Sequence, residues 1–119
     1  MSKSILIAED DAFLVKMYKL QLEGAGYDIT IATNGKEALE SVAKKKPDLL
    51  LLDLLMPEMD GFEVLKKLKA SGAKFPIVVL SNLSQEIDKE KCVELGAKDF
   101  FVKSDTGIES LPGIIAQYV

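Results

Sequence analysis

The sequence predicts an α/β domain: an open, doubly wound, five-stranded parallel sheet with five helices. Three observations carry this expectation. The apolar runs Ile5–Ala8 and Leu49–Leu52 are strand-sized and bounded by polar residues, the pattern of strands buried on both faces. Between such runs lie segments with apolar residues at helical spacing, so strand and helix alternate five times. The chain has 119 residues, enough for one sizeable core, and no linker, repeat or low-complexity stretch divides it. Residues 1–119 are therefore expected to form a single domain.

Each element has its own signal. Ile5–Ala8 is the first strand. A helix follows from Asp11 through Glu23, with Phe13, Leu14, Met17, Leu20 and Gln21 near one stripe and Gly24 and Gly26 ending it. Tyr27–Ala32 alternates as the second strand. Asn34 with Glu37 three residues on is a capping-box-like start, and Ala38, Leu39, Val42 and Ala43 supply the second helix's buried stripe. Lys44-Lys45-Lys46 sits in that helix's last turn, where cations suit the dipole, and Pro47 stops it. Leu49–Asp53 is the third strand. Asp60-Gly61-Phe62-Glu63 opens the third helix, which turns Val64, Leu65 and Leu68 inward and closes at Gly72. Ile77–Leu80 is the fourth strand, and Ser84 caps a helix running through Leu95 to Gly96. Asp99–Val102 is the fifth strand. Leu111, Ile114, Ile115 and Tyr118 repeat at helical spacing in a short last helix, with Pro112 in its first turn. Right-handed crossovers between these strands give the flavodoxin-like order 2-1-3-4-5.

Composition removes several functions. A hydrophobic share of 48% with 29% charged residues is that of a soluble globular protein, and no apolar stretch approaches a membrane span. The net charge of −4 argues against direct nucleic-acid binding. All basic residues are Lys, so bidentate guanidinium clamps on phosphate are excluded. With no His, the usual general base, phosphohistidine donor and zinc ligand are missing. The start, Met1-Ser2-Lys3-Ser4, lacks a signal peptide's apolar segment, and the lone Cys92 supports no internal disulfide; a cytoplasmic location is expected.

Chemistry gathers at the strand ends. A parallel sheet collects its ligands at the carboxyl ends of its strands. Glu9, Asp10 and Asp11 end the first strand and Asp53 the third, so Glu9, Asp10 and Asp53 share one edge, where like charges raise each other's pKa. A hard cation sustains that arrangement most easily, and oxygen-only ligands suit magnesium or calcium. The fourth strand delivers Ser81 and the fifth Lys103 to the same edge. Taken singly, the acids read as helix caps, Ser81 as a turn residue and Lys103 as a solvated charge. Together they supply a metal-binding acid cluster, an oxygen nucleophile, a hydrogen-bond donor and a fixed cation, which is what phosphoryl transfer requires.

Glu9-Asp10, Asp53 followed by Met56-Pro57-Glu58-Met59-Asp60-Gly61, Ser81, and Phe100-Phe101-Val102-Lys103 resemble the receiver domain of two-component response regulators, of the chemotaxis-regulator kind. The resemblance covers essentially the whole chain. It implies a phosphoprotein of signal transduction rather than a conventional enzyme: a phosphoacceptor that promotes its own phosphorylation and dephosphorylation. Asp53 would accept a phosphoryl group from a sensor histidine kinase or phosphotransfer protein. Glu9 (through water), Asp10, Asp53 and the backbone carbonyl of Leu55 would arrange Mg²⁺ or Mn²⁺. Ser81 and Lys103 would contact the phosphoryl oxygens, and Ser81 with Phe100 would form the switch. The output expected is a protein-binding face presented to a downstream protein, with no membrane and no DNA contact, by a monomer or a weak dimer formed on phosphorylation.

Three positions depart from that family's pattern. Ser104 stands where Pro usually follows the Lys; a cis bond there would cost about 3–4 kcal/mol, against about 0.5–1 for Lys–Pro, so a trans peptide is expected. Asn82 replaces a small residue after Ser81, and Pro112-Gly113 intrudes near the start of the last helix. The main alternative is a degenerate receiver acting as a phosphorylation-independent protein adaptor. A dehalogenase-type phosphatase would need an acid two residues after Asp53, where Leu55 stands. A flavin or nucleotide binder would need a Gly-rich first loop, where Glu9-Asp10-Asp11 repels phosphate.

Overall fold

The computed structural model describes residues 2–83 and 85–119. Five strands, β1 (Ser4–Ala8), β2 (Asp28–Ala32), β3 (Leu49–Leu52), β4 (Ile77–Ser81) and β5 (Asp99–Val102), form one parallel sheet in the order β2-β1-β3-β4-β5. Five helices connect and follow them: α1 (Ala12–Gly24), α2 (Gly35–Lys44), α3 (Gly61–Ala70), α4 (Glu86–Glu94) and α5 (Leu111–Ala116). This is the flavodoxin-like doubly wound fold that the alternation predicts.

The period of two in a strand divides each apolar run between two cores. Leu6, Ala8, Leu50, Leu52, Ile77 and Val79 meet Ala38 of α2, Val64, Leu65 and Leu68 of α3, and Cys92 of α4. Ile5, Ile7, Leu49, Leu51, Val78 and Leu80 meet Tyr18 and Leu22 of α1 with Leu111 and Ile115 of α5. β3 therefore has no polar position to spare, because all four of its leucines are buried. Each contributes about 1.5–3 kcal/mol on leaving water.

The caps largely follow the sequence. The Asn34 side chain accepts from the N–H of Glu37, and Asp60 accepts from the N–H of Glu63. Glu37 reaches back one residue further than a capping box requires, accepting from the N–H and hydroxyl of Thr33. Asp11 belongs outside α1 as its cap, accepting from the N–H groups of Phe13 and Leu14. The cap expected at Ser84 lies outside the described residues; α4 itself begins at Glu86 with no side-chain bond from Gln85.

Two buried stripes differ from expectation. On α1, Phe13 and Leu20 are 67% and 59% exposed, while Tyr18 and Leu22 are buried. That helix carries two overlapping apolar sets, 13/17/20 and 14/18/22, rotated by one residue. The second is chosen because it faces both the sheet and α5. On α2, Ala43 is exposed because the buried stripe ends with the partly buried Leu39 and Val42.

This choice of stripe is measurable. Leu22→Ala should cost about 2–5 kcal/mol, whereas Leu20→Ala should stay within about 0.5 kcal/mol, as read from urea midpoints. Equal losses would reverse the assignment.

Candidate functional site

The sheet register builds the site. Ala8 pairs with Leu52, so the next residues, Glu9 and Asp53, emerge side by side. Backbone bonds hold both positions beyond the regular ladder: the Asp53 N–H donates to the carbonyl of Ala8, and the Glu9 N–H to that of Ala32. Glu9 and Asp53 are 2% and 5% exposed, which for two neighbouring carboxylates demands a counter-charge.

Lys103 supplies it from the end of β5. Its Nζ lies 2.5 Å from Glu9 Oε1 and 3.2 Å from Asp53 Oδ2. These are the two ion pairs among the described residues. The other Asp53 oxygen, Oδ1, accepts from the N–H of Leu54 at 2.8 Å, which fixes the carboxylate's orientation. Glu9 Oε2 accepts from the N–H of Asp11 at 3.1 Å. Burial pushes the Glu9 carboxyl above its ordinary pKa despite the opposing bond from Lys103. Burial also pulls the Lys103 ammonium down, but its bond to Glu9 and the nearby charge of Asp53 outweigh that and leave it raised. Tyr18, beneath the carboxylates in a small recess with Ala8 and Leu80, has its phenol pushed up to about 12, chiefly by burial.

Above this cluster is a cleft of about 270 Å³, lined by Glu9, Asp10, Asp11, Leu14, Asp53, Leu55, Asn82 and Lys103. Asp10 is exposed, and one carboxylate oxygen from each of Glu9, Asp10 and Asp53 can be taken so that all three lie within 4.8 Å of one another. Three hard oxygen donors at that spacing fit a divalent cation such as Mg²⁺ or Mn²⁺. Leu55 is 56% exposed at the cleft's rim.

Ser81 and Phe100 sit deeper. Ser81 is fully buried, its Oγ accepts from the N–H of Leu83 at 3.3 Å, and it does not line the cleft; its neighbour Asn82 does. Phe100 packs in the core on the α3–α4 side of the sheet. The sequence reading did not place Asn82, Asp11 or Leu14 in the site. For Asn82 and Asp11 the signal was direct adjacency to Ser81 and Asp10. Leu14 carried none, because only the entry angle of α1 brings it there.

The two loops flanking the acids are built differently. After β5, Lys103–Asp105 forms a 3₁₀ turn in which the Lys103–Ser104 peptide is trans, as expected without Pro, and the Thr106 hydroxyl donates to the carbonyl of Val102. After β3, the loop is tied at both ends. The Gly61 N–H donates to the carbonyl of Leu54, and the Gly35 N–H, from the start of α2, donates to that of Met59. Both glycines are required by close approach: a Cβ on Gly61 would lie 2.5 Å from the Asp53 carbonyl oxygen, and one on Gly35 would meet the Met59 carbonyl oxygen at 2.2 Å. Between them Glu58 adopts φ 65°, a left-handed conformation that costs a side-chain-bearing residue about 1–2 kcal/mol.

The sequence model of the response regulator receiver domain matches residues 5–111. The chain is 41% identical over 103 residues to the alkaline phosphatase synthesis transcriptional regulatory protein PhoP of Bacillus subtilis, covering 87% of this chain but 43% of that protein. It is 38% identical over 104 residues to the chemotaxis protein CheY of Thermotoga maritima, covering 87% of each. Among solved structures, the receiver domain of the Francisella response regulator 1452 superposes with a TM-score of 0.92 at 29% identity, covering 98% of this chain and 96% of that one. The chain thus spans less than half the length of several curated relatives it matches.

The strained loop position yields a test. Glu58→Gly should stabilise the protein by up to about 1 kcal/mol, while Gly61→Ala should destabilise it by about 1–3 kcal/mol through overpacking against the Asp53 backbone. Thermal midpoints measure both, and a Glu58→Gly variant no more stable than wild type would show that no strain is held there.

Proposed function

The chain belongs to the response regulator receiver domain family, and on that premise we propose that residues 1–119 form one domain operated by phosphorylation of Asp53. Receiver domains are phosphoacceptors of two-component signalling rather than conventional enzymes. The observation that carries the proposal is the buried Asp53 carboxylate, held between Leu54 N–H and Lys103 beside Glu9. A carboxylate fixed in this way at the floor of an open cleft presents its oxygen to an incoming phosphorus with little reorganisation.

In the proposed reaction, an Asp53 oxygen attacks the phosphorus of a phosphohistidine on a sensor kinase or phosphotransfer protein. The O–P bond forms, the P–N bond breaks, and the electron pair returns to the imidazole nitrogen. Lys103 stays between the carboxylates and turns its charge to the phosphoryl oxygens. Glu9, Asp10, Asp53 and the Leu55 carbonyl are the residues that would hold Mg²⁺ or Mn²⁺, with Glu9 acting through water. That ion, when bound, supplies positive charge against the repulsion between carboxylate and phosphoryl group. Ser81 exchanges its bond with Leu83 N–H for one to a phosphoryl oxygen, and Phe100 repacks with it. The consequence is a changed surface on α4, β5 and α5 for a downstream protein, without DNA contact by this domain. We place the exchange in the cytoplasm, in a monomer or a weak phosphorylation-induced dimer.

Incubation with magnesium and a small phosphoryl donor should add one phosphoryl mass to the wild type and none to Asp53→Asn, with chelator abolishing transfer. Undiminished transfer in chelator, or phosphate recovered on another residue, would reject the proposal, and a wild type that gains no phosphoryl mass with magnesium would favour a phosphorylation-independent adaptor.

Hydrolysis offers a second test. Leu55 lines the cleft and Leu83 lies beside Ser81, and neither side chain can orient water by hydrogen bonding. Loss of the phosphoryl group should therefore be slow, and Leu55→Asn with Leu83→Glu should accelerate it. An unchanged decay rate would remove the argument.

A further inference from the structure

The two edges of the sheet differ in their charged groups. The loops at the carboxyl edge carry Glu9, Asp10, Asp11, Asp53, Glu58 and Asp60 around Lys103, whereas Lys45, Lys46, Lys74 and Lys98 lie in the loops at the amino edge, with Lys44 at the end of α2. Of the acids at the amino edge, Asp28 and Glu94 are exposed at the start of β2 and the end of α4, while Asp48 and Asp99 are engaged. Asp48 accepts from the N–H of Ser4, and Asp99 accepts from the Tyr118 hydroxyl and the N–H of Phe100. Among the described residues, no ion pair engages Lys74 or Lys98.

Those two lysines flank an open groove of about 480 Å³ between the α3–β4 and α4–β5 turns, which Phe75, Pro76, Gln117 and Tyr118 also line. Across Phe75 it continues into a recess of about 110 Å³ walled by Leu68, Ala73, Ile77 and Leu95. Lys69, beside that recess, donates to the carbonyl of Glu94 and so ties α3 to the end of α4.

We propose that this groove docks an acidic segment of a partner protein, one apolar side chain entering the Phe75 recess while flanking carboxylates meet Lys74 and Lys98. Charge complementarity selects an anionic occupant, since Lys74 and Lys98 line the groove and no acid among the described residues lines it with them. The apolar recess selects a peptide over a polyphosphate or nucleic-acid backbone, which has no side chain to fill it. The groove lies at the pole opposite Asp53, so a partner held there leaves the acidic cleft open to a phosphoryl donor.

The test uses ¹⁵N-labelled protein and a short capped peptide of alternating Glu and Leu. Saturable shifts should appear at Ala73, Phe75, Gly96 and Lys98. Lys74→Glu with Lys98→Glu should weaken binding about tenfold, as expected for losing two exposed charge contacts. The neutral pair Lys74→Gln with Lys98→Gln should fall between, and phosphorylation of Asp53 should be unchanged in both. Replacing Glu by Gln in the peptide should weaken binding about as much as the Lys74→Gln with Lys98→Gln pair does, and replacing Leu by Ala should weaken it further. Shifts centred elsewhere, wild-type affinity in the charge-reversed protein, or equal binding of inorganic polyphosphate would overturn the proposal.

Discussion

Two carboxylates and one ammonium, emerging from three different strands into a nearly dry corner, set the terms for the upper half of this molecule. Glu9 and Asp53 are delivered by the pairing of β1 with β3, and Lys103 comes from the far edge strand, with Nζ reaching both. Removing two charges from water is expensive, and their attraction to Lys103 compensates only if the geometry holds. The geometry is accordingly over-determined. Each carboxylate also accepts a backbone N–H from its own loop, and neither buried side chain lacks a hydrogen-bond partner. With Asp10 beside them, the cluster sets three carboxyl groups against one ammonium. That excess, open to solvent on the Asp10 side, is what makes the corner receptive to a cation.

The same constraint explains why the cores are arranged as they are. The two strands that bear the acids are apolar directly below them: β1 over Ile5–Ala8 and β3 over Leu49–Leu52, all buried. A rigid apolar base under a charged rim lets strand register, rather than flexible side chains, decide where the acids stand. A register slip of one residue would invert every side chain of β3 and turn Asp53 away from Glu9.

This economy made the fold and most of the site readable from residues alone. Strand ends are where a parallel sheet must place its chemistry, so Glu9, Asp53, Ser81 and Lys103 could be assigned to one edge by counting alternating elements. What could not be read was set by longer-range packing. The α1 sequence supports two stripes, and only the presence of α5 selects 14/18/22 over 13/17/20. Asn82 and Leu14 enter the cleft through loop and helix angles that no local pattern encodes. The depth of Ser81, whose hydroxyl accepts from Leu83 N–H below the cleft, is likewise a property of the β4–α4 loop's path.

The two sides of the cleft therefore differ in kind. On the Asp53 side, Gly35 and Gly61 let backbone meet backbone at distances no side chain would permit, tying Met59 and Leu54 and holding Glu58 in a left-handed conformation. A helix that contributes no residue to the cleft, α2, thereby helps to fix the loop bearing Leu55. On the opposite side, among the described residues, the Ser81 hydroxyl makes one long bond, and α4 starts with no side-chain bond from Gln85 and buries one residue, Cys92. Cys92 is joined in holding α4 by Lys91 over the Phe62 ring and by Lys69 on the Glu94 carbonyl, contacts made at the surface. Surface contacts of this type are worth about 1 kcal/mol or less each. A ligand with modest differential affinity can shift such a lightly held element while the loop after Asp53 stays in place. Rigidity where the phosphoryl group would attach, and weak anchoring where its arrival would be sensed, are the two mechanical properties that a phosphorylation switch needs.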